Sequence, residues 1–582
     1  MFHGIPVSSG IGHGPVLVVG PRSFQISSVE IPQTAVDDEI QRFKRALVKT
    51  REELKAIQKE LCRRAETSDA GIFDAHLLVL EDQTIIEEVT RLVAENRINV
   101  EAAFSQTTER FISALNAVED NYLRDRAVDM RDVADRVLGN LLGGGTTDPT
   151  RNLKVPSIIV GHDLSPSVTA QFDREKVLGF ATDVGSPTSH TAILARSLNL
   201  PAVVALHDVS SQLRSGQDVL LDGYDGIVIR NPSESDLFRY GELIRRHESR
   251  DHELEAIREL RAETLDGVDV ELLTNIDHPD EVDDVARYGG QGVGLFRTEY
   301  LFLNRGTLPD ETEQFEAYRN AVQGLEGRPL VIRTLDLGAD KVAAALPDAA
   351  EANPALGVRA IRFSLAHPSI FIKQLRAILR ASAYGPVKLL YPMVSTVEEL
   401  SRANELLEAC REELKAASVA FDAKLPVGIM IETPTAAMIA DVFSREVDFL
   451  CIGTNDLIQY GSAVDRLNER ITDLYQPTHP GILRLIGQVV DAGARENVPV
   501  SVCGEMAADP VLVPLLIGLG VRALSVSAPL TPQVKDVIRK LKMASAEALA
   551  QSALAAVSSE EVMGNARALL NRIAPDLDAS ST

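Results

Sequence analysis

The stretch Gly185-Ser186-Pro187-Thr188-Ser189-His190-Thr191-Ala192-Ile193 sets a histidine at the start of an apolar run, Ala192 to Leu198, that reads as a helix. A glycine-containing turn leads into it. Helix N-termini present free N–H groups and the positive end of a dipole, an arrangement that holds phosphate. Neutral imidazole is a nucleophile whose proton affinity suits neutral pH. A histidine at a helix start is by itself more often a cap or a packed residue, so the motif gains its meaning from the rest of the chain.

A second set of reactive residues lies in the C-terminal half, each just past an apolar run. Arg297 follows Gly-Val-Gly-Leu-Phe, Arg333 follows Leu-Val-Ile, and Glu432 follows Val-Gly-Ile-Met-Ile. Asn455 and Asp456 follow Cys-Ile-Gly-Thr, Arg466 lies a few residues beyond, and Cys503 sits in Ser-Val-Cys-Gly-Glu. Guanidiniums grip phosphate or carboxylate through paired hydrogen bonds. Glu432 and Asp456 offer hard oxygens, which suit Mg²⁺ better than zinc. One arginine near a strand end is usually a surface ion pair. Charged groups at successive strand ends need a paired or functional reason. For Cys503 two readings stand side by side, a small buried apolar residue or a thiol that gives or takes a proton.

The elements that must carry these residues are legible in outline. Pro15 to Val19 reads as a strand. From about Thr34 to Leu142 apolar residues recur at helical spacing, as in Ile72, His76, Leu77 and Leu80, up to Gly143-Gly144-Gly145. Strands return at Ser157–Val160, Val177–Ala181, Ala202–Ala205, Val219–Leu221 and Ile227–Ile229, so the helices read as an insertion into one α/β domain. Glu234 to Thr264 is strongly charged and reads as a long exposed helix. The rest holds strand-like runs at Val270–Asn275, Gly292–Glu299, Leu330–Asp336, Val387–Met393, Val427–Glu432, Phe449–Asp456, Val500–Glu505 and Ala523–Ser527, mostly separated by helical patterns. These runs suit a closed (β/α)₈ barrel, whose active sites gather at the C-terminal strand ends. A doubly wound open sheet is the alternative.

The totals bound the function. The 582 residues exceed one core and imply two to four domains. A net charge of −25 argues against nucleic acid and anionic membrane as partners. The four cysteines, Cys62, Cys410, Cys451 and Cys503, are widely spaced, against a disulfide framework or zinc site and in keeping with a reducing, cytoplasmic setting. Neither a secretory signal nor an apolar run long enough to span a membrane is visible.

With these motifs in hand, the chain resembles enzyme I of the bacterial phosphoenolpyruvate-dependent sugar phosphotransferase system. The resemblance runs from Gly4-Ile5-Pro6-Val7-Ser8 through the barrel. It is strongest at Thr188–Pro201, Gly294–Leu301, Ile332–Lys341, Asn353–Arg362, Gly428–Pro434, Gly453–Tyr460 and Ser501–Ala507. It implies a phosphohistidine at His190 and phosphate binding by Arg297 and Arg333, with Arg466 and the backbone near Asn455 also on the substrate. Asp456 counts both as substrate contact and, with Glu432, as Mg²⁺ ligand. Cys503 would protonate the enolate as pyruvate forms. The partners implied are phosphoenolpyruvate, an HPr-type phosphocarrier protein docking on the helical insertion, a region in which His76 matches a family position, and a second copy of the chain joined through the barrel. The corresponding division is 1–33 and 146–232 for a swivelling phosphohistidine domain, 34–145 for the inserted helical bundle, 233–264 for a linker helix and 265–582 for the barrel.

Two departures stand out. Gly185-Ser186-Pro187 replaces a commoner pair of glycines, and Ala339 replaces a glycine in Gly338-Ala339-Asp340-Lys341. Neither removes a reacting group. ATP-dependent pyruvate dikinases and phosphoenolpyruvate synthases share the histidine and barrel, but only about 150 residues precede the phosphohistidine segment here, with no phosphate-cradling glycine loop. A non-catalytic regulator with this fold would not be expected to keep His190, Arg297, Arg333, Glu432, Asp456 and Cys503 together.

Overall fold

The computed structural model describes residues 1–582 except 21–23, 25, 65–71, 117–120, 144–152, 154, 174, 187, 188, 304–306, 339–352, 467, 469 and 579–582. The readings placed on Gly144, Gly145, Pro187, Thr188, Ala339, Asp340 and Lys341 lie outside the described residues. The chain divides into two units, Met1–Glu248 and Ser249–Thr582.

The first unit is built on one mixed sheet. Its strands are β1 (Phe2–His3), β2 (Ile5–Ser8), β3 (Ile11–Val19), β4 (Ser157–Gly161), β5 (Val177–Thr182), β6 (Ala202–Val204), β7 (Asp218–Asp222) and β8 (Ile227–Arg230), in the order β1-β8-β7-β3-β4-β5-β6-β2. β3 to β6 run parallel, and the flanking strands join them antiparallel. Parallel strands covered on both faces read as continuous apolar runs, and β4, Ser-Ile-Ile-Val-Gly, is buried throughout. Alternation sends Ile158 and Val160 into one apolar cluster and Ile159 into another.

Between β3 and β4 the chain forms α1 (Val36–Arg64), α2 (Ile72–Leu80), α3 (Gln83–Asn96), α4 (Val100–Asn116) and α5 (Asn121–Leu141). Phe43, Val89, Val93, Phe104 and Val137 fill the core of this bundle. Asp82 caps α3, its side chain accepting the Thr84 N–H at 2.8 Å. Polar bonds tie the bundle to α6 (Pro166–Thr169). Asp132 accepts from the Ser167 hydroxyl at 2.7 Å and its N–H at 3.0 Å, and Arg136 donates to the same hydroxyl at 2.9 Å. His76 Nε2 lies 3.4 Å from Asp132. Next come α7 (His190–Ser197), α8 (Val209–Gln212) and the charged helix α9 (Glu234–Ile257), whose Tyr240 packs on Leu220 and Ile229.

The second unit holds a closed barrel of β9 (Glu271–Ile276), β10 (Val293–Phe296), β11 (Leu330–Arg333), β12 (Val387–Tyr391), β13 (Val427–Ile431), β14 (Phe449–Ile452), β15 (Val500–Val502) and β16 (Ala523–Ser527). All neighbours are parallel, and β16 closes on β9 with Ala523 opposite Glu271 through Ser527 opposite Asn275. That closure excludes the open doubly wound alternative. Side chains alternate between two apolar environments. Val331, Leu390, Met430 and Cys451 pack inside the barrel, while Leu330, Ile332, Ile429 and Ile452 face the surrounding helices. Fully burying each such residue stabilises by about 1.5–3 kcal/mol. The helix Val397–Ala416 starts with a reciprocal capping box between Thr396 and Glu399.

Candidate active site

Seven of the residues singled out above line one cavity of about 850 Å³ at the barrel mouth: Arg297, Arg333, Glu432, Asn455, Asp456, Arg466 and Cys503. Their positions follow from the strands. Arg297 is the first residue past β10, Arg333 ends β11, Glu432 follows β13 and Cys503 follows β15. Asn455 and Asp456 open the helix Thr454–Ser462 that leaves β14.

The two arginines differ in setting. Arg297 is half exposed, its Nη1 2.9 Å from Asp277 Oδ1. Arg333 is buried, with Nη2 3.0 Å from Glu299 Oε1 and Nη1 3.1 Å from Asp336 Oδ2. Burial works against its charge, but Glu299 and then Asp336 outweigh that and hold the guanidinium more basic than usual. Arg359 is placed likewise between Asp336, at 2.8 Å, and Asp456, at 3.3 Å, and it donates to the Tyr460 hydroxyl at 3.0 Å.

Asp336, Glu432 and Asp456 bring carboxylate oxygens within 4.8 Å of one another. Glu432 accepts the Met393 N–H, and its carboxyl is pushed well above the ordinary range, by burial first and then by Asp336 and Asp456. Burial also opposes ionisation of Asp336, but Arg333 and Arg359 hold it below the usual value. A buried cluster of hard oxygens whose mutual repulsion raises one member fits a small divalent cation such as Mg²⁺.

Cys503 is buried at the cavity wall. Its Sγ lies 3.1 Å from Cys451 Sγ and 3.7 Å from the Ile452 carbonyl oxygen. Asn275 donates to the Cys503 carbonyl at 3.2 Å and is itself held by the Ser525 hydroxyl at 2.7 Å. Contact with Cys451, then burial, push the thiol well above its usual value, while Arg333 and Arg297 pull it down. The net effect keeps the sulfur protonated, the state that can give a proton. Gly504 is required beside it, because a Cβ there would collide with Thr454 Oγ1 and approach Asn455 Oδ1. Asn455 fixes the same turn, accepting the Glu505 N–H at 2.9 Å and donating to its side chain at 2.9 Å.

In the other unit, α7 begins at His190, and Ser189 is its N-cap, accepting from the Ala192 N–H at 3.3 Å. The buried Thr191 hydroxyl donates to the Leu164 carbonyl at 2.7 Å and ties the first turn to the segment before α6. Gly185 has φ +130°, a conformation only glycine adopts without strain, and its Cα faces Val204. The replacement of the following glycine by Ser186 therefore spares the position in this turn that has the positive φ.

Family models match the chain in three places. The model described as PEP-utilising enzyme, PEP-binding domain covers residues 251–543. The PEP-utilising enzyme, N-terminal model covers 3–126, and the mobile domain model covers 153–226. A phosphoenolpyruvate-protein phosphotransferase of Bacillus sp. (strain S) is 42% identical over 565 residues, 97% of each chain. The chain belongs to the phosphoenolpyruvate-protein phosphotransferase family, that of enzyme I. Relatives of the same name from Geobacillus stearothermophilus, 42% identical over 562 residues, and Listeria innocua, 41% identical over 560, cover 97% and 96% of this chain and 97% of their own.

Within this enzyme I chain the structure adds cavity residues that sequence reasoning did not assign: Glu299, Asp336, Arg359, Tyr475 and Glu505. Asp336 closes the run that begins at Leu330, so its strand-end position was a usable signal. Arg359 is reached only through a long connection after β11, and spacing does not announce it. His76, on the helical insertion, is fully buried and faces Asp129 and Asp132 of α5 rather than the surface. Among the described residues no helix is long and apolar enough to cross a membrane.

Proposed function

We propose that this chain takes the phosphoryl group of phosphoenolpyruvate onto His190 and passes it to a histidine of an HPr-type carrier protein, the first step of a sugar-uptake relay. The observation that carries the reading is the convergence of Arg297, Arg333, Glu432, Asn455, Asp456, Arg466 and Cys503 on one cavity of about 850 Å³. Arg297, Arg333 and Arg466 bind the phosphate and carboxylate of the substrate, and the backbone near Asn455 orients it. Glu432 and Asp456, joined by Asp336, would hold Mg²⁺, which when bound would supply positive charge to offset the negative charge of the substrate's phosphate.

An imidazole nitrogen of His190 attacks phosphorus, and the bond from phosphorus to the enol oxygen breaks. The electron pair goes to pyruvate enolate. Its methylene carbon takes the proton of the Cys503 thiol, and pyruvate leaves. Arg333 and Arg359, charged and already fixed by Asp336, offset the developing negative charge without rearranging. A helix N-terminus at His190 suits the phosphorylated state.

The work divides as 1–33 and 146–232 for the phosphohistidine domain, 34–145 for carrier docking, 233–264 for the linker and 265–582 for phosphoenolpyruvate binding and pairing with a second copy. Movement of the phosphohistidine domain between the barrel and the carrier meets the need for one histidine to react twice.

The test is isotope exchange, which needs no carrier. With Mg²⁺ and the full chain, labelled pyruvate is expected to enter the phosphoenolpyruvate pool, and Arg333→Ala to abolish this. Exchange that persists in Arg333→Ala, or fails in the wild type, would overturn the reading.

A further inference from the structure

Cys451 is not itself a reacting group in the chemistry above, yet its sulfur lies 3.1 Å from that of Cys503. The strand register brings this about. Cys451 pairs with Ser501 and Ile452 with Val502, so alternation puts Cys451 and Cys503 on the same face of neighbouring strands. That face is the barrel interior, where both thiols pack with Leu295, Val331, Leu390 and Phe449. Both cysteines are free. A disulfide bond measures about 2.05 Å, so the sulfurs need to close by about 1 Å. Cys503 is one residue past the end of β15 and, though 3% exposed, lines the cavity, whereas Cys451 does not. Cys410 is buried elsewhere, its sulfur against the Ile372 carbonyl.

We propose that Cys451 and Cys503 form an oxidative modification site, at which a hydroperoxide entering the barrel mouth joins the two sulfurs as a disulfide and stops turnover. The Cys503 sulfur attacks one peroxide oxygen, the O–O bond breaks, the thiol proton passes to the departing oxygen, and Cys503 becomes a sulfenic acid with release of water or an alcohol. The Cys451 sulfur then displaces the hydroxyl group, which leaves as water with the Cys451 proton. Two thiols are oxidised and one peroxide is reduced, and a dithiol reductant reverses the change. The arrest of turnover rests on the reading of Cys503 as proton donor, because a disulfide sulfur has no proton to give. Phosphoenolpyruvate filling the mouth shields the pair.

The test treats the full chain with hydrogen peroxide and follows turnover and intact mass together. Expected are loss of two hydrogens from the mass, a peptide linking Cys451 to Cys503 after non-reducing digestion, and at least a tenfold loss of turnover restored by dithiothreitol. Phosphoenolpyruvate with Mg²⁺ slows all three. Cys451→Ser, measured against its own untreated turnover, loses that turnover beyond recovery by dithiothreitol, as Cys503 alone oxidises further. Peroxide that leaves Cys451 reduced while Cys503 is oxidised in the wild type overturns the site. A disulfide that forms with turnover intact overturns the arrest, and places the fault in the proton-donor reading rather than in the pairing.

Discussion

The Arg359 guanidinium bridges Asp336 and Asp456, 2.8 Å from one carboxylate and 3.3 Å from the other. It offsets the charge of an acidic cluster that would otherwise face itself at close range. Removing one partner of a buried ion pair costs about 3–5 kcal/mol. Arg359→Ala is therefore expected to unfold at a lower temperature in metal-free buffer and to recover part of the loss on adding Mg²⁺. Its KM for phosphoenolpyruvate should rise about 10–100-fold, the value of one or two charged hydrogen bonds. Thermal melts with and without Mg²⁺, together with steady-state kinetics, check both.

Glu432 contributes to the pH dependence of the metal-free barrel. Its carboxyl is held well above the ordinary value by burial and by Asp336 and Asp456. A carboxyl whose pKa is raised on folding stabilises the fold at pH below its unfolded value and loses that contribution as pH rises through the folded value. In the presence of a chelator, the melting temperature should therefore fall as pH rises from the ordinary carboxylate range. Glu432→Gln should flatten that slope and abolish stabilisation by Mg²⁺. Melts across this pH range, with chelator and with Mg²⁺, measure both effects.

Much of the barrel was legible because its strands announce themselves twice, as continuous apolar runs and by the polar residues that end them. Of the residues that follow the apolar runs, Arg333 ends its strand and Glu432 lies one residue past its own, and both line the cavity. What spacing could not show is the pairing of distant residues. Arg359 meets Asp336 from 23 residues away and Asp456 from 97, and Cys451 meets Cys503 across 52. Such contacts depend on barrel closure and on the path of a long connection, neither of which leaves a periodic trace. The order of the first sheet was equally hidden, since β1 and β2 lie at its opposite edges although they are separated by one residue.

Cys503→Ala should keep its fold and its affinity for phosphoenolpyruvate, because the site's charges come from other residues. Turnover should fall by about 10²–10⁴, the range for loss of a positioned proton donor. Calorimetric binding of phosphoenolpyruvate beside the rate of pyruvate release separates the two. Unimpaired release would remove the donor role.

Asp132 joins the helical insertion to the sheet unit. Burial opposes its charge, but the bond and charge of His76, with Ser167 and Arg136, bring its pKa down to about 2. A depressed carboxyl stabilises above its unfolded value, and the contribution is lost as pH falls through the folded one, so this junction should weaken between about pH 4 and pH 2. Asp132→Asn should destabilise by about 3–5 kcal/mol at neutral pH, since it removes the buried carboxylate that faces His76 and accepts from Ser167. Denaturant unfolding of the wild type and the variant checks the size.

The central claim is that phosphoenolpyruvate's phosphoryl group comes to rest on His190. Incubating the full chain with radiolabelled phosphoenolpyruvate and Mg²⁺, and comparing it with His190→Ala, reads this out. Acid-labile label on the wild type alone, with pyruvate released in proportion, is the result expected. Label on both proteins, or on neither, would contradict it.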